Sequence, residues 1–296
     1  MESIVETTRP PRIGIALGGG SARGWAHIGV LAALAERGIE PEIICGTSIG
    51  ALVGGIAAAG KLAELEAWVA ALTRRDVLGL VDFTIAGGGL IGGQKLINLY
   101  RQHLGDVTIE ELPRRFAAVA TDLDSGSEVW LQEGSLLDAI RASISLPGMF
   151  TPVRRGGRWL VDGGLANPVP VSLCRVLGAD VVIAVDLHAA GRRQIGDRRA
   201  AETQPAVVRS RRRNNTNEAR PPAVTWVVQS ALDIMQVRLS RARLAGDPPD
   251  LILAPRVLHV SSLEFVGGKA TIAEGRNVVR RMMPAIQDLL DSVRAS

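Results

Sequence analysis

The stretch PEIICGTSIGALVGGIAAAG, residues 41–60, decides the fold. Its first part, Pro41 to Ser48, is rich in β-branched and apolar residues and predicts a buried strand. Its second part, Ile49 to Gly60, is long, apolar and Ala-rich, and predicts a buried helix with a glycine stop. Between them Gly46, Ser48 and Gly50 fit G-x-S-x-G at a strand-to-helix junction, the setting of a nucleophile elbow. The glycines allow a sharp turn, which pushes Ser48 to the carboxyl edge of the sheet, where open α/β folds place their sites. The helix N-terminus behind the serine favours developing negative charge. Ser48 equally suits a plain N-cap for the helix, and the two roles are compatible.

The segment upstream repeats the pattern. RIGIAL (12–17) predicts a strand, and SARGWAHIGVLAALAERG (21–38) predicts a helix stopped by Gly38. The turn between them, GGGSARG (18–24), brings backbone N–H groups close to something negative. A dinucleotide fingerprint needs G-x-G-x-x-G. Gly18, Gly20 and Gly24 are one residue too widely spaced, and CGTS stands where the second strand should end in an acid for the ribose. A P-loop needs Lys and then Ser or Thr after its last glycine. Gly24 is followed by Trp25 and Ala26. Both nucleotide readings fail at the residues that carry their chemistry.

Further apolar strands are expected at RFAAVATDL (115–123), RWLVDGG (158–164), DVVIAVDL (180–187) and DLILAP (250–255). EVWLQE (128–133) alternates and reads as an edge or antiparallel strand. Helices are expected at 61–73, at 135–150 with Pro147 as its stop, at 223–244 and at 271–293. Strands separated by helices predict an α/β fold, a mostly parallel sheet sandwiched by helices. The glycine-rich AGGGLIGGQ (86–94) reads as a connector bordering the site.

The 296 residues, 47% hydrophobic and 22% charged, suit a globular chain. Residues 1–11 read as a disordered polar arm and 12–296 as one domain. From 189 to 222 the chain has nine arginines against three acids. This net +6 leaves the remainder at −2 against a total of +4. The segment lacks apolar periodicity and reads as a flexible basic insertion, a solvated loop first and a peripheral contact for anionic membrane second. It lacks the interleaved aromatics of a single-strand nucleic-acid binder, so no nucleic acid is expected. Two cysteines, Cys45 and Cys174, are too few for a disulfide framework, and the N-terminus lacks signal-peptide order; a cytoplasmic protein is expected.

An elbow serine needs a base. None of His27, His103, His188 and His259 carries a signature, and His27 reads as packed near the glycine turn. Asp162 in WLVDGG ends a strand ahead of two glycines. It suits a turn aspartate, and a desolvated carboxylate within reach can also activate a hydroxyl.

GGGSARG, GTSIG and VDGG, in that order, resemble the patatin-like phospholipase family. RGWAHIGVLAAL, AAVATDL, AIRASISLPGMFTPV, DGGLANPVPVSL, GADVVIAVDL and AGDPPDLIL are similar to its bacterial RssA-type, NTE-like branch. The resemblance implies a three-layer α/β/α fold and a Ser–Asp dyad without catalytic histidine. Ser48 would be the nucleophile and Asp162 the base. The N–H groups of Gly18, Gly19 and Gly20 would form the oxyanion hole, and Arg23 and Gly24 would support the loop. No cofactor or metal is implied. The chain has Leu17 where many relatives carry Asp, and DGG where plant patatins have DGA; neither change touches the dyad. The expected activity is cleavage of fatty acyl esters of phospholipids or lysophospholipids through an acyl-serine. The alternative is a regulatory or interaction protein on the same fold with little turnover.

Overall fold

The computed structural model describes residues 11–82, 89, 91–189 and 224–294. The expected arm and basic insertion therefore lie, save for Pro11 and Ala189, outside the described residues. Eight strands form one sheet: β1 (Ile13–Leu17), β2 (Ile43–Thr47), β3 (Arg115–Asp122), β4 (Glu128–Leu131), β5 (Val153–Arg155), β6 (Arg158–Asp162), β7 (Val181–Val185) and β8 (Leu251–Leu253). Their order is β5-β6-β3-β2-β1-β7-β8, with β4 paired to β3 off this path. The run from β3 to β8 is parallel, while β4 and β6 lie antiparallel to β3, as the alternation of EVWLQE implied for β4.

Side-chain alternation along these strands explains the layers. Ile15, Leu17, Ile44, Ala118, Ala120, Ile183 and Val185 point to one face. There they meet α1 (Ala26–Ala35), α2 (Ile49–Ala58), α6 (Leu136–Ser143) and the long C-terminal α9 (Gly268–Arg294). The intervening Ala16, Ile43, Cys45, Ala117, Val119, Val182 and Ala184 point to the other face, against α7 (Val171–Val176) and Leu244 of α8 (Val224–Gly246). Both cysteines are unbridged and buried in this second face. The outcome is the expected helix–sheet–helix sandwich. Three further helices, α3 (Leu62–Ala71), α4 (Arg74–Gly79) and α5 (Gln94–Leu104), lie between β2 and β3 in the chain.

The predicted helix 21–38 is different at its start. Ser21–Trp25 is a 3-10 turn, and the α-helix begins only at Ala26. The glycine loop needs the tighter turn to swing from β1 into α1. Gly38, at φ 71°, ends the element as expected.

The sheet's crossovers reverse direction at β1: β2 and β3 lie to one side of it, β7 and β8 to the other. Ligands in open α/β sheets bind at the carboxyl ends of strands flanking such a switch. Gly18–Gly20 follow β1 and Ser48 follows β2, so both loops meet at that place.

The helix that carries the glycine loop is held by an unusually close crossing. A Cβ on Gly29 of α1 would run into the Ile272 carbonyl of α9, and a Cβ on Gly275 would run into the Ala26 carbonyl. Backbone meets backbone here, so no rotamer change relieves an added side chain. Gly275→Val is expected to destabilise the fold by about 2 kcal/mol or more, read as a lower urea midpoint. An unchanged midpoint would show that the helices part freely.

Candidate active site

Ser48 stands at the N-cap of α2 with φ 56° and ψ −125°. A non-glycine residue in this region is strained, and such strain persists only where the surroundings over-determine it. The surroundings are two glycines. A Cβ on Gly46 would run into the Gly50–Ala51 peptide, and one on Gly50 into the Leu17 carbonyl. Ser48 occupies the N-cap position without using its hydroxyl as a cap. Its Oγ donates instead to Asp162 Oδ2 at 2.6 Å. Its backbone N–H donates to Ser143 Oγ at 2.9 Å, and Ser143 Oγ in turn donates to the Val119 carbonyl at 2.6 Å. The elbow is thus tied through α6 to β3.

Asp162 ends β6 and is 1% exposed. Its two oxygens divide the two readings made of it. Oδ1 accepts the Gly164 N–H at 2.7 Å, the turn role, while Oδ2 accepts the Ser48 hydroxyl. Its backbone is held on both sides: its N–H donates to the Ser145 carbonyl at 2.9 Å, and Thr121 Oγ1 donates to its carbonyl at 2.9 Å. Burial raises its carboxyl to about 6, against the lowering effect of the hydrogen bonds from Ser48 and Gly164. The arrangement can move a proton from a serine hydroxyl to a carboxylate that water does not screen.

The glycine loop corrects one expectation. The Gly18 N–H donates to the Val185 carbonyl and the Gly19 N–H to the Pro168 carbonyl, each at 3.0 Å. Neither is free to hold an oxyanion; they anchor the loop to the sheet edge. Among the described residues, the N–H groups of Gly20, Ser21 and Ile49 have no acceptor. Ser21 has φ 51°, and with Ser48 it makes the pair of non-glycine residues at positive φ among those described. Gly19 sits so close that a Cβ there would lie 3.5 Å from Ser48 Cβ. Gly24 lies under α2, where a Cβ would run into Ile49.

Arg23 is buried and turned away from the serine. Its Nε donates to the Val260 carbonyl at 2.9 Å; burial lowers its pKa and the charge of Asp233 opposes this. The Ala22 N–H donates to the Ser262 carbonyl at 3.2 Å and Trp25 Nε1 to the Phe265 carbonyl at 3.2 Å. The loop is therefore clamped by the segment after β8. His27 is packed as expected: it is fully buried, and Nε2 donates to the Gly18 carbonyl at 2.7 Å. Burial depresses it to about 4, so it stays neutral.

A cavity of about 150 Å³ opens beside Ser48. Trp25, Leu52, Leu146, Met149 and Phe150 are among its walls, which are overwhelmingly apolar. Ile91, from the described end of the 86–94 segment, also borders it.

Residues 15–175 match the family model described as patatin-like phospholipase. The chain belongs to the patatin-like phospholipase family. An uncharacterized NTE family protein of Mycobacterium tuberculosis is 46% identical over 62% of this chain and 51% of its own length. A second from the same organism is 32% identical over 94% of this chain and 47% of its own. Neuropathy target esterase sws of Drosophila melanogaster is 34% identical over 59% of this chain and 13% of its own. The chain spans about half the length of the mycobacterial relatives it matches.

Sequence reasoning missed Ser143, Thr121 and the Val260–Phe265 clamp. Ser143 sits in RASIS without any local signal; only the fold brings it under Ser48. The clamp is two hundred and more positions from the loop it holds.

The raised carboxyl has a consequence for stability. Well below pH 4 Asp162 is protonated in folded and unfolded chains alike, and its raised pKa costs no stability. As pH rises from about 4 to about 6 the unfolded chain ionises first and stability falls. Above that window the full cost, on the order of 3 kcal/mol, persists. Asp162→Asn is therefore expected to be more stable than wild type at neutral pH, with the gap closing near about pH 3. Urea unfolding at the two pH values checks this; a less stable variant at neutral pH would mean that the lost hydrogen bonds outweigh burial.

Proposed function

We propose that the protein is a serine acyl-ester hydrolase acting on phospholipids or lysophospholipids. The observation that carries this is the 2.6 Å Ser48–Asp162 hydrogen bond at the mouth of an apolar cavity. Family membership supports a lipid substrate, and the cavity wall suits an acyl chain better than a headgroup.

Ser48 Oγ attacks the ester carbonyl carbon as its proton passes to Asp162 Oδ2. The carbonyl oxygen becomes the oxyanion, held by the N–H groups of Gly20, Ser21 and Ile49 and favoured by the α2 N-terminus. The carbon–oxygen ester bond breaks, and Asp162 returns the proton to the leaving alcohol. Water then attacks the acyl-serine, gives its proton to Asp162 and releases the fatty acid; the proton returns to Ser48. Asp162 thus acts as base and then as acid in each half. A carboxylate near 6 is closer to the working pH than an ordinary one, which suits both tasks.

Ser48→Ala and Asp162→Asn are each expected to abolish hydrolysis of a p-nitrophenyl ester and of lysophospholipid in protein that stays folded. A fluorophosphonate probe should label wild type and not Ser48→Ala. The acylation rate should rise with pH through about 6 and then level, because Asp162 must be ionised to accept the proton. Near-normal turnover by Asp162→Asn would remove the dyad. Absence of turnover on every acyl ester would favour the regulatory alternative.

A further inference from the structure

A second cavity, of about 110 Å³, lies beyond the one at Ser48. The two share a wall: Trp68 and Tyr100 line both. Their other lining residues show how they are related. Along α3 the first cavity meets Leu72 and Trp68, and the second meets Trp68, Leu65 and the Lys61 end. Along α5 the first meets Leu96 and Tyr100, and the second meets Tyr100 and His103. The late part of α3 thus faces the early part of α5, and the reverse. The two cavities are consecutive lengths of one cleft between antiparallel helices.

Trp68 and Tyr100 meet edge to face across that cleft, with ring centroids 5.8 Å apart. Trp25 braces Trp68 from the Ser48 side at 6.4 Å. The Tyr100 hydroxyl is buried and has no hydrogen-bond partner among the described residues. A buried hydroxyl left unpaired is unusual and marks packing shaped by more than stability. Beyond the ring pair, from Trp68 to Lys61, the cleft runs two helical turns, about 10 Å. It ends at the exposed Lys61–Glu64 ion pair.

We propose that this cleft is a two-compartment acyl channel in which Trp68 and Tyr100 form the partition that sets the longest acyl chain accepted. This rests on the acyl-ester reading of Ser48. The chain enters beside Ser48, fills the first compartment and stops at the rings. An apolar cavity of about 150 Å³ takes a guest of roughly benzene size, so the first compartment alone suits short to medium chains. The second compartment becomes usable only when a ring is removed.

The test is kcat/KM on p-nitrophenyl esters from acetyl to palmitoyl. Wild type is expected to peak at a short to medium chain and to fall about tenfold or more by palmitoyl, about 1.4 kcal/mol of discrimination. Trp68→Leu and Tyr100→Ala should each move the peak to longer chains. Tyr100→Phe keeps the ring and should keep the wild-type peak. Adding Leu99→Trp, which fills the second compartment, to Trp68→Leu should return the peak toward shorter chains. A wild-type peak at palmitoyl, or an unmoved peak in folded Trp68→Leu and Tyr100→Ala, overturns the partition. Turnover that Ser48→Ala abolishes, with an unmoved peak, overturns the partition alone. No turnover on any ester overturns the acyl-ester reading beneath it.

Discussion

The hydrogen bond from Ser48 to Asp162 joins two strand ends that are 114 residues apart in the chain. It depends on almost everything else in the sheet. Ser48 must leave β2 at a positive φ, which Gly46 and Gly50 allow by letting the turn touch the β1 end. Asp162 must leave β6 beside β3, and the antiparallel pairing of Ala120 with Asp162 sets that register. A slip of one residue would turn the carboxylate to the opposite face. Ser143 and Thr121 add side-chain bonds that hold each backbone at the junction.

Both costs in the site fall on the same few residues. Positive φ at Ser21 and Ser48 is strained backbone, and a carboxylate that is 1% exposed is desolvated. Such costs persist only when a rigid scaffold outweighs them. The scaffold is visible as close contact. The glycine crossing of α1 and α9 brings backbones together, and the loop after β8 takes three hydrogen bonds from Ala22, Arg23 and Trp25. Arg23 is informative here. The resemblance implied that it supports the loop, and its guanidinium is buried toward Val260 and Asp233. It holds the loop that carries the free N–H groups.

Much of this was legible in the chain, and the reason is periodicity. Continuous apolar runs such as IICGT and VVIAV read as buried parallel strands because both faces are covered. G-x-S-x-G and the aspartate before two glycines were readable because sharp turns demand particular residues. What stayed hidden was long-range. Which N–H of the glycine loop is free depends on whether Val185 and Pro168 carbonyls lie beside it, and no local pattern records that. Ser143 is an ordinary helix serine until the fold places it 2.9 Å from the elbow N–H. The 3-10 start of the first helix followed from the same contacts.

The proposed dyad contains no histidine, and that has a physical consequence. A histidine base would carry its charge only after taking the proton. In the proposed reaction Asp162 would start charged and become neutral as Ser48 attacks, so the negative charge would move from the buried carboxylate to the oxyanion. Burial destabilises the starting charge, and the α2 N-terminus with the free N–H groups would stabilise the final one. The same desolvation that weakens the fold at neutral pH therefore assists charge transfer toward the substrate. Screening Asp162 with water would lower its pKa, relieve the fold and remove part of that driving force. On this reading burial at the end of β6 keeps the carboxylate dry, while the apolar cavity beside Ser48 receives the acyl chain.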